Sequence, residues 1–303
     1  MDALEQCQID EAITSPPWGQ IGRAFTLGII SGACKLVLNV INTTSVENHD
    51  IWLKHVMNRE LGRGLITISN HTTLVDDPGV ISAITPWWYF WSEPQHHGMR
   101  WSMCAKEVCF KNDLLRQFFA NGKVMPIVRG GGVDQPVMTT AANQVATGGW
   151  LHVFPEGRIM MTGKLGPFRW GVGKVVCDAK KASGGKDPII LPIFHSNMAA
   201  VLPLDTYMVR AGKQISVTIG EPLDLTDITC RCHQPGQDQQ KVWKDITLRM
   251  HHAMSELQER CPGNPYQREN PPGKPGAASG STTQSVGTDK ATEAMDPRLD
   301  SRA

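Results

Sequence analysis

The apolar positions along the chain alternate between short β-branched runs and longer stretches with helical periodicity. Each short run is rich in Val and Ile, has the length typical of a strand and is bounded by turn-forming residues. These runs lie at 65–69, 124–128, 149–154, 188–194 and 215–219. Helical periodicity appears between them, at 135–147, and again in a closing helix at 242–257. Alternating strands and helices predict an α/β fold with a central mixed sheet flanked by helices.

The longest apolar stretch lies near the N-terminus, at residues 25–41, and is interrupted by Lys35 and Asn39. A helix that spans a bilayer needs roughly 20 apolar residues. The stretch therefore predicts a membrane-associated helix that re-enters the bilayer or lies in its interface. A buried amphipathic core helix is the alternative. The aromatic run at 87–91 likewise suits either the headgroup region of a bilayer or packing against the sheet.

Composition divides the chain into three parts. A polar connector is expected at 42–50, so that residues 1–50 form an N-terminal segment with the membrane-associated helix. Residues 51–261 are long enough to form one catalytic domain with a sizeable core. Beyond Cys261, Pro, Gly, Ser and Thr replace almost all large apolar residues, and 262–303 is predicted to be a disordered tail.

Charge and cysteine content exclude several classes of protein. A net charge of +1 provides no broad basic face, so nucleic acid is not an expected partner. The eight cysteines include no Cys-x-x-Cys pair, which favours reduced thiols in an intracellular protein. Cys230, Cys232 and His233 resemble metal ligands but lack a second pair at ligand spacing. Neither a metal nor another cofactor is expected.

His71 and Asp76 directly follow the predicted strand at 65–69. Acyl transfer to an alcohol needs a base that removes the hydroxyl proton and a group that fixes the tautomer of that base. The two side chains can meet if the intervening residues form a turn into a helix, which leaves one imidazole nitrogen free. We therefore predict that His71 is the general base and Asp76 its partner. Asp77, before Pro78, is expected to be a structural cap.

A second polar group follows the predicted strand at 149–154. Glu156, Gly157 and Arg158 combine a carboxylate, a flexible residue and a guanidinium in one loop. An Arg fork binds phosphate bidentately, Glu156 can accept from a glycerol hydroxyl or orient Arg158, and glycine lets the backbone approach a ligand. Arg129, at the end of another strand, would be a further phosphate ligand. We predict that these four residues bind substrate; an ordinary surface turn with an ion pair is the alternative.

Over roughly residues 60 to 200 the chain resembles the glycerolipid acyltransferases. The residues that match the motifs of that family, in order and spacing, are Asn70-His71-x4-Asp76, Arg129, Phe154-Pro-Glu-Gly157 and Pro188-Ile-Ile-Leu-Pro192. Arg158 follows Gly157 at once, whereas the broader family has Thr and then Arg. In having a basic residue at this position, the chain resembles the branch of the family that remodels phospholipids.

The resemblance implies an acyltransferase fold, with His71 as base, Asp76 as its partner, and Arg129, Glu156 and Arg158 near the headgroup phosphate. It also implies reacylation of lysophospholipids such as monolysocardiolipin, with another phospholipid as acyl donor, at a mitochondrial membrane that faces the intermembrane space. No Gly-x-Ser-x-Gly elbow supplies a protein nucleophile. An acyl-CoA-dependent lysophospholipid acyltransferase, for example one that uses lysophosphatidylethanolamine, and a membrane-binding scaffold without activity are the alternatives. The oligomeric state stays open.

Overall fold

The computed structural model describes residues 3–91, 98–203 and 208–264, and seven strands lie within them. The strands are β1 (Thr43–Glu47), β2 (Leu65–Ser69), β3 (Ser102–Ala105), β4 (Val124–Ile127), β5 (Trp150–Val153), β6 (Ile189–Ser196) and β7 (Gln214–Ile219). Five of them form one sheet in the order β1-β7-β6-β2-β5. β7 runs antiparallel to β6, and the other neighbours are parallel. The prediction of a mixed central sheet is confirmed.

Two further strands extend the sheet beyond β5. β3 and β4 pair in parallel, with Ser102 opposite Val124. The residue before β3, Trp101, pairs with β5, since its N–H donates to Trp150 O and its carbonyl accepts from His152 N–H, each at 2.7 Å. Because β2, β6, β5, β3 and β4 run in one direction, the loops that follow them lie at one edge, here called the carboxyl edge. His71, Arg129 and Arg158 all belong to these loops.

Helices cover both faces of the sheet within the described residues. They are α1 (Ala3–Thr14), α2 (Gly19–Lys35), α3 (His49–Trp52), α4 (Asp76–Ile84), α5 (Lys106–Cys109), α6 (Asp113–Asn121), α7 (Pro136–Ala146), α8 (Gly171–Ala182), α9 (Met198–Val201), α10 (Thr226–Thr229) and α11 (Gln239–Arg260). Side chains of β2 alternate between two apolar clusters. Ile66 and Ile68 pack with α7, α8 and α11, whereas Leu65 packs with α3 and α4. A strand buried on both faces reads as the continuous apolar run seen in the sequence.

The N-terminal apolar helix is longer than the sequence pattern suggests. α2 begins at Gly19 and continues through a π-helical segment, Leu36–Ile41, so that the whole helix has 23 residues. In the described part of the chain it is the one helix that could cross a membrane by length and composition, with a mean hydropathy of 1.8 and 28% of its apolar window buried. The helix is therefore longer than the predicted stretch at 25–41 and exceeds the roughly 20 residues that a bilayer-spanning helix needs.

The expected polar connector at 42–50 contains a strand. Thr43–Glu47 forms β1, which pairs in parallel with β7 at the edge of the sheet. An edge strand with alternately exposed residues needs no apolar run, so its polar sequence gave no strand signal. Residues before 50 also pack on the domain, since Asp10 of α1 accepts hydrogen bonds from Thr140 (2.6 Å) and Asn143 (2.9 Å) of α7.

Four of the eight cysteines are paired, as Cys104–Cys109 and Cys177–Cys232. The expectation of reduced thiols is wrong for these four, because pairing depends on distances in the fold that spacing along the chain does not give. Cys232 therefore has no thiolate for a metal, and the neighbouring His233 lies 2.9 Å from Asp178. The predicted disordered tail falls outside the described residues from position 265 onward.

Candidate active site

The structure brings His71 and Asp76 together at the carboxyl edge. His71 follows β2, and the turn after it places Asp76 at the start of α4. His71 Nδ1 lies 3.0 Å from Asp76 Oδ2. Because a carboxylate only accepts, the proton is on Nδ1 and the lone pair is on Nε2. The His71 side chain is 20% exposed, so this geometry suits a general base.

The turn between the two residues holds the Asp76 carboxylate. Oδ2 accepts from the backbone N–H groups of Thr72 and Thr73, the latter at 2.8 Å, and Oδ1 accepts from the Thr73 hydroxyl at 2.9 Å. Burial alone would raise the pKa of Asp76. The imidazoles of His195 and His71 and the hydrogen bonds outweigh burial, and the pKa of Asp76 lies below its usual value. The carboxylate therefore stays ionised and fixes the tautomer of His71.

The loop after β5 encloses His71 from the other side. The Phe154 ring stacks on the imidazole, with centroids 4.0 Å apart and planes inclined by 12°. Glu156 Oε2 accepts from the His71 N–H at 2.9 Å, and the Met160 N–H donates to the His71 carbonyl at 2.7 Å. These contacts fix both the ring and the backbone of His71 before a substrate binds, which reduces the entropy lost in reaching the reactive geometry.

Glu156 faces the backbone of the site rather than solvent. It is 2% exposed, and its second oxygen, Oε1, accepts from the Gly166 N–H at 2.7 Å. Burial raises the pKa of Glu156 to about 7, against the lowering effect of the Gly166 and His71 hydrogen bonds. Both oxygens thus face backbone N–H groups, and the predicted contact with Arg158 is not made. Glu156 instead joins the His71 turn to the loop at Gly166.

Gly157 and Arg158 form the exposed tip of the same loop. Gly157 has a φ of +64°, a left-handed conformation that favours glycine, and its N–H donates to Phe154 O at 3.0 Å. Arg158 is exposed. Its side chain makes no ion pair with any residue that the structure describes. The guanidinium is therefore available to an anionic ligand beside His71.

Arg129 lies at the carboxyl edge but has a protein partner. Its Nη1 is 3.3 Å from Glu107 Oε1, and the two side chains are 62% and 53% exposed. Exposed pairs of this kind are weak, roughly 0–1 kcal/mol. A phosphate could therefore displace Glu107 at small cost. The structure places Arg129 at the correct edge, with no described contact to the loop that encloses His71.

Asn70 and His195 support the site, although the sequence assigned neither a role. The Asn70 amide donates to His195 O at 2.9 Å and accepts from His195 N–H at 3.0 Å. In return, His195 Nε2–H donates to Asn70 O at 2.9 Å and lies 3.8 Å from Asp76 Oδ2. Burial lowers the pKa of His195, in spite of Asp76, so the imidazole is neutral. The position of His195 at the end of a mostly apolar strand provides no local signal for such a role.

A second buried histidine continues this polar group. His152 Nδ1 accepts from Thr67 Oγ1 at 2.8 Å, and its other nitrogen lies 3.3 Å from Ser69 Oγ. Burial lowers the pKa of His152 to about 4. Its neutral ring meets Phe154 edge to face, with centroids 4.9 Å apart. The residues behind His71 are therefore hydrogen-bonded rather than purely apolar.

Asp77 is not the helix cap that the sequence suggests. Its Oδ1 lies 2.6 Å from both Nε and Nη2 of Arg100, and each side chain is 4% exposed. A buried carboxylate requires such a partner, because an unpaired buried charge is strongly destabilising. Asp76 and Asp77 are thus adjacent in sequence but differ in partner, one facing His71 and the other Arg100.

The described residues also line an open cavity of about 500 Å³ at the opposite edge of the sheet. Its lining includes Lys54, Arg63, Asp187 and Leu223, and none of the residues around His71. Asp187 precedes β6 and Leu223 follows β7, whereas His71 follows β2. The cavity and the His71–Asp76 pair therefore lie at opposite ends of the strands.

The chain is similar in sequence to several known proteins. The family model described as Acyltransferase matches residues 40–196. Tafazzin of Drosophila melanogaster is 33% identical over 77% of this chain and 60% of its own length. N-acylphosphatidylethanolamine synthase of Arabidopsis thaliana is 32% identical over 71% of this chain and 75% of its own. Taffazin of Dictyostelium discoideum is 29% identical over 78% of this chain and 85% of its own length. The chain thus spans 60% of the length of the fly relative.

Proposed function

The chain belongs to the acyltransferase family, and we propose that it moves an acyl chain from an intact phospholipid to a lysophospholipid. The observation that carries this proposal is the His71–Asp76 pair, 3.0 Å apart, with Nε2 of His71 left free. Similarity to two tafazzins, and Arg158 directly after Gly157, support the phospholipid-remodelling branch. Resemblance to that branch suggests monolysocardiolipin as the acceptor.

In the proposed reaction His71 acts first as a base and then as an acid. Nε2 takes the proton of the acceptor hydroxyl while that oxygen attacks the acyl carbonyl of the donor. Asp76 stabilises the imidazolium that forms. When the bond between the acyl carbon and the donor oxygen breaks, His71 returns the proton to that oxygen. The products are the reacylated acceptor and a lysophospholipid, and no covalent acyl-enzyme is required.

The residues around this pair have separate proposed roles. Arg158 binds the headgroup phosphate, and Gly157 allows the backbone of the loop to approach it. Arg129 is a more distant phosphate ligand at the same edge, because Glu107 already pairs with it. Glu156 positions the backbone of His71 through its 2.9 Å hydrogen bond.

We further propose that the outer face of the apolar helix at Gly19–Ile41, here called the N-terminal helix, binds the membrane. Apolar residues exposed by 44–76% recur on it every three to four residues or at twice that spacing: Trp18, Ile21, Phe25, Ile29, Leu36 and Val40. The polar interruptions face the protein, since Lys35 Nζ and Asn39 Nδ2 both donate to Ala83 O. Trp87 and Trp88, about half exposed, suit the headgroup region. Resemblance to tafazzins suggests a mitochondrial membrane that faces the intermembrane space, which fractionation of mitochondria would test.

The catalytic proposal is tested by replacing His71. His71→Ala should lower acyl transfer between vesicle phospholipids by about 10²–10⁴, because the general base is lost, while binding to vesicles stays intact. His252→Ala, a change at a surface histidine whose side chain is 74% exposed, is the matched control and should leave transfer unchanged. Transfer by His71→Ala at the parental rate would contradict the proposal and favour a non-catalytic scaffold.

The acyl donor and the acceptor atom are determined by labelled substrates. Transfer from labelled phosphatidylcholine without acyl-CoA is expected, and strict dependence on acyl-CoA would favour the other donor class. The Arabidopsis relative, named as a synthase of N-acylphosphatidylethanolamine, supports a second candidate in which the acceptor is an amine. An ester product is hydrolysed by mild alkali and an amide product is not, so one treatment distinguishes the two reactions.

A further inference from the structure

Arg169 is a second guanidinium-bearing residue at the loop that encloses His71. Its backbone N–H donates to Pro155 O at 2.8 Å, which ties residue 169 to the loop. Its side chain lies against Gly157, because Cδ and Nε of Arg169 are each 2.7 Å from the position that a Cβ on Gly157 would occupy. Any residue other than glycine at position 157 would therefore displace this side chain.

The positive charge of Arg169 has no acidic partner in the described part of the chain. Arg169 is exposed, and no carboxylate that the structure describes pairs with it. Arg158 is in the same situation, whereas two other exposed arginines have acidic partners, Arg129 with Glu107 and Arg249 with Asp227. Glu156 forms no ion pair with either guanidinium, since both of its oxygens accept from backbone N–H groups.

We propose that Arg169 and Arg158 together bind the phosphate of the lipid headgroup at His71. The inference rests on the proposed function, since it names a second ligand for the same substrate. Two unpaired guanidinium groups at one small loop repel each other, and a phosphate between them removes that repulsion while it accepts charge-assisted hydrogen bonds. Because Phe154, Glu156 and Met160 of this loop all contact His71, a phosphate bound here would place the adjacent glycerol near Nε2.

Phosphate binding by Arg169 and Arg158 is tested by measuring lipid binding to the inactive His71→Ala protein, so that turnover does not interfere. The probes are lysophosphatidylglycerol and a monoacylglycerol with the same acyl chain, each in mixed micelles. Arg169→Gln should weaken binding of the phosphate-bearing lipid by about 10-fold, as expected for a lost charge-assisted hydrogen bond, and leave monoacylglycerol binding unchanged. Arg169→Lys should be intermediate, because an ammonium keeps the charge but not the planar fork.

Two further variants distinguish a phosphate contact of Arg169 from a general effect of removing positive charge. Arg249→Gln, at an exposed arginine remote from the loop, is the control and should not change binding. Gly157→Ala should displace the Arg169 side chain. The double variant Gly157→Ala/Arg169→Gln should therefore weaken binding by less than the sum of the two single effects, expressed as free energies. The inference is wrong if Arg169→Gln binds lysophosphatidylglycerol as tightly as its parent, or weakens both lipids equally. Failure of the proposed function would appear separately, as absent transfer by the wild-type protein.

Discussion

The Asn70 side chain extends the backbone ladder between β2 and β6 by one residue, through two hydrogen bonds to the backbone of His195 at 2.9 and 3.0 Å. The last residues paired by backbone alone are Ser69 and Ile193. His71 therefore directly follows a residue that three hydrogen bonds hold in place, since His195 Nε2–H also donates to Asn70 O. The position of the base depends on two residues that do not touch the reacting atoms.

Asn70→Ala is expected to lower both stability and turnover. It leaves the buried N–H and C=O of His195 without partners, which costs about 1–3 kcal/mol per group. Urea denaturation should show this loss, and kcat should fall more than KM changes, because the variant misplaces His71 without removing a substrate contact. An unchanged kcat in a folded variant would contradict a positioning role for the Asn70–His195 pair.

Asp76→Asn tests the tautomer of His71. The amide is nearly the same size, but its NH2 group donates and cannot accept. Facing His71, this group favours the wrong tautomer, and facing Thr73 it still leaves the imidazolium without the negative charge that stabilises it. We expect kcat to fall by about 10³–10⁴, the range seen when the acid of a comparable histidine–carboxylate pair is replaced. Transfer measured from pH 6 to 9 should stay low, because no change of pH restores the lost acceptor. Recovery of the parental rate at high pH would show that Asp76 only affects the charge of His71.

The parts of the fold that could be predicted are those with a local signal. β2 was recognised because it is buried on both faces, whereas β1 was missed because an edge strand with the sequence Thr-Thr-Ser-Val-Glu carries no apolar run. β3 was missed because its sequence, Ser-Met-Cys-Ala, contains no β-branched residue. The short spacing between His71 and Asp76 predicted their contact.

Contacts between distant segments had no such signal. The role of His195 depends on an amide 125 residues earlier in the chain, and Arg169 meets Gly157 through a loop closure that no periodicity encodes. Glu156 shows the same limit in another form. Its presence in a polar loop is visible in the sequence, but its burial, and therefore its contact with backbone N–H groups rather than with Arg158, depends on how the loop packs.

Glu156 should make stability fall as pH rises between about 4.5 and 7. The native carboxyl has a pKa of about 7, against an ordinary value of 4.5. Within this window the unfolded chain releases a proton that the native protein keeps, so the free energy of unfolding decreases with pH by an amount on the order of 1–3 kcal/mol. Below the window the contribution is complete, and above pH 7 the loss is complete.

The comparison of the parental protein with Glu156→Gln isolates this effect. Neutral, buried His152 and His195 change stability with the opposite sign, because their lowered pKa values make stability fall as pH decreases below that of an unfolded histidine. The parental protein and the variant share this contribution of the two histidines, so it cancels in the comparison. The variant should be less stable at pH 5, since its amide NH2 faces a backbone N–H, and the difference should shrink toward pH 8. Urea denaturation at four pH values measures it, and a constant difference would refute the assignment.

Arg158 and Arg129 should differ in their effect on substrate use. Arg158→Gln removes an unpaired guanidinium beside His71 and should lower kcat/KM for a lysophospholipid by about 10-fold or more. Arg129→Gln removes a guanidinium that Glu107 already engages at 3.3 Å, and a change of about threefold or less is expected. Kinetics in mixed micelles at fixed dilution compare them directly. A larger loss for Arg129→Gln would identify Arg129 as the principal phosphate ligand.

Ile29→Glu tests the membrane face of the N-terminal helix. Ile29 is 62% exposed and is flanked by Phe25 at 54%, so a carboxylate there should not disturb the core. If this face enters the lipid, insertion must desolvate a charge, which costs several kcal/mol in a bilayer. Sedimentation with vesicles should then show binding reduced by at least about 10-fold, and transfer between vesicle lipids should fall in parallel.

Leu248→Glu is the matched control for this change. Leu248 is also an exposed apolar residue, at 45%, but it lies on α11. It should leave vesicle binding intact, because the proposed membrane face comprises only the N-terminal helix with Trp87 and Trp88. Soluble short-chain lipids provide the second comparison: Ile29→Glu should transfer acyl chains between them at the parental rate, since the site around His71 is unchanged. Equal loss in both variants, or loss on soluble substrate, would show that the helix acts through folding rather than through membrane contact.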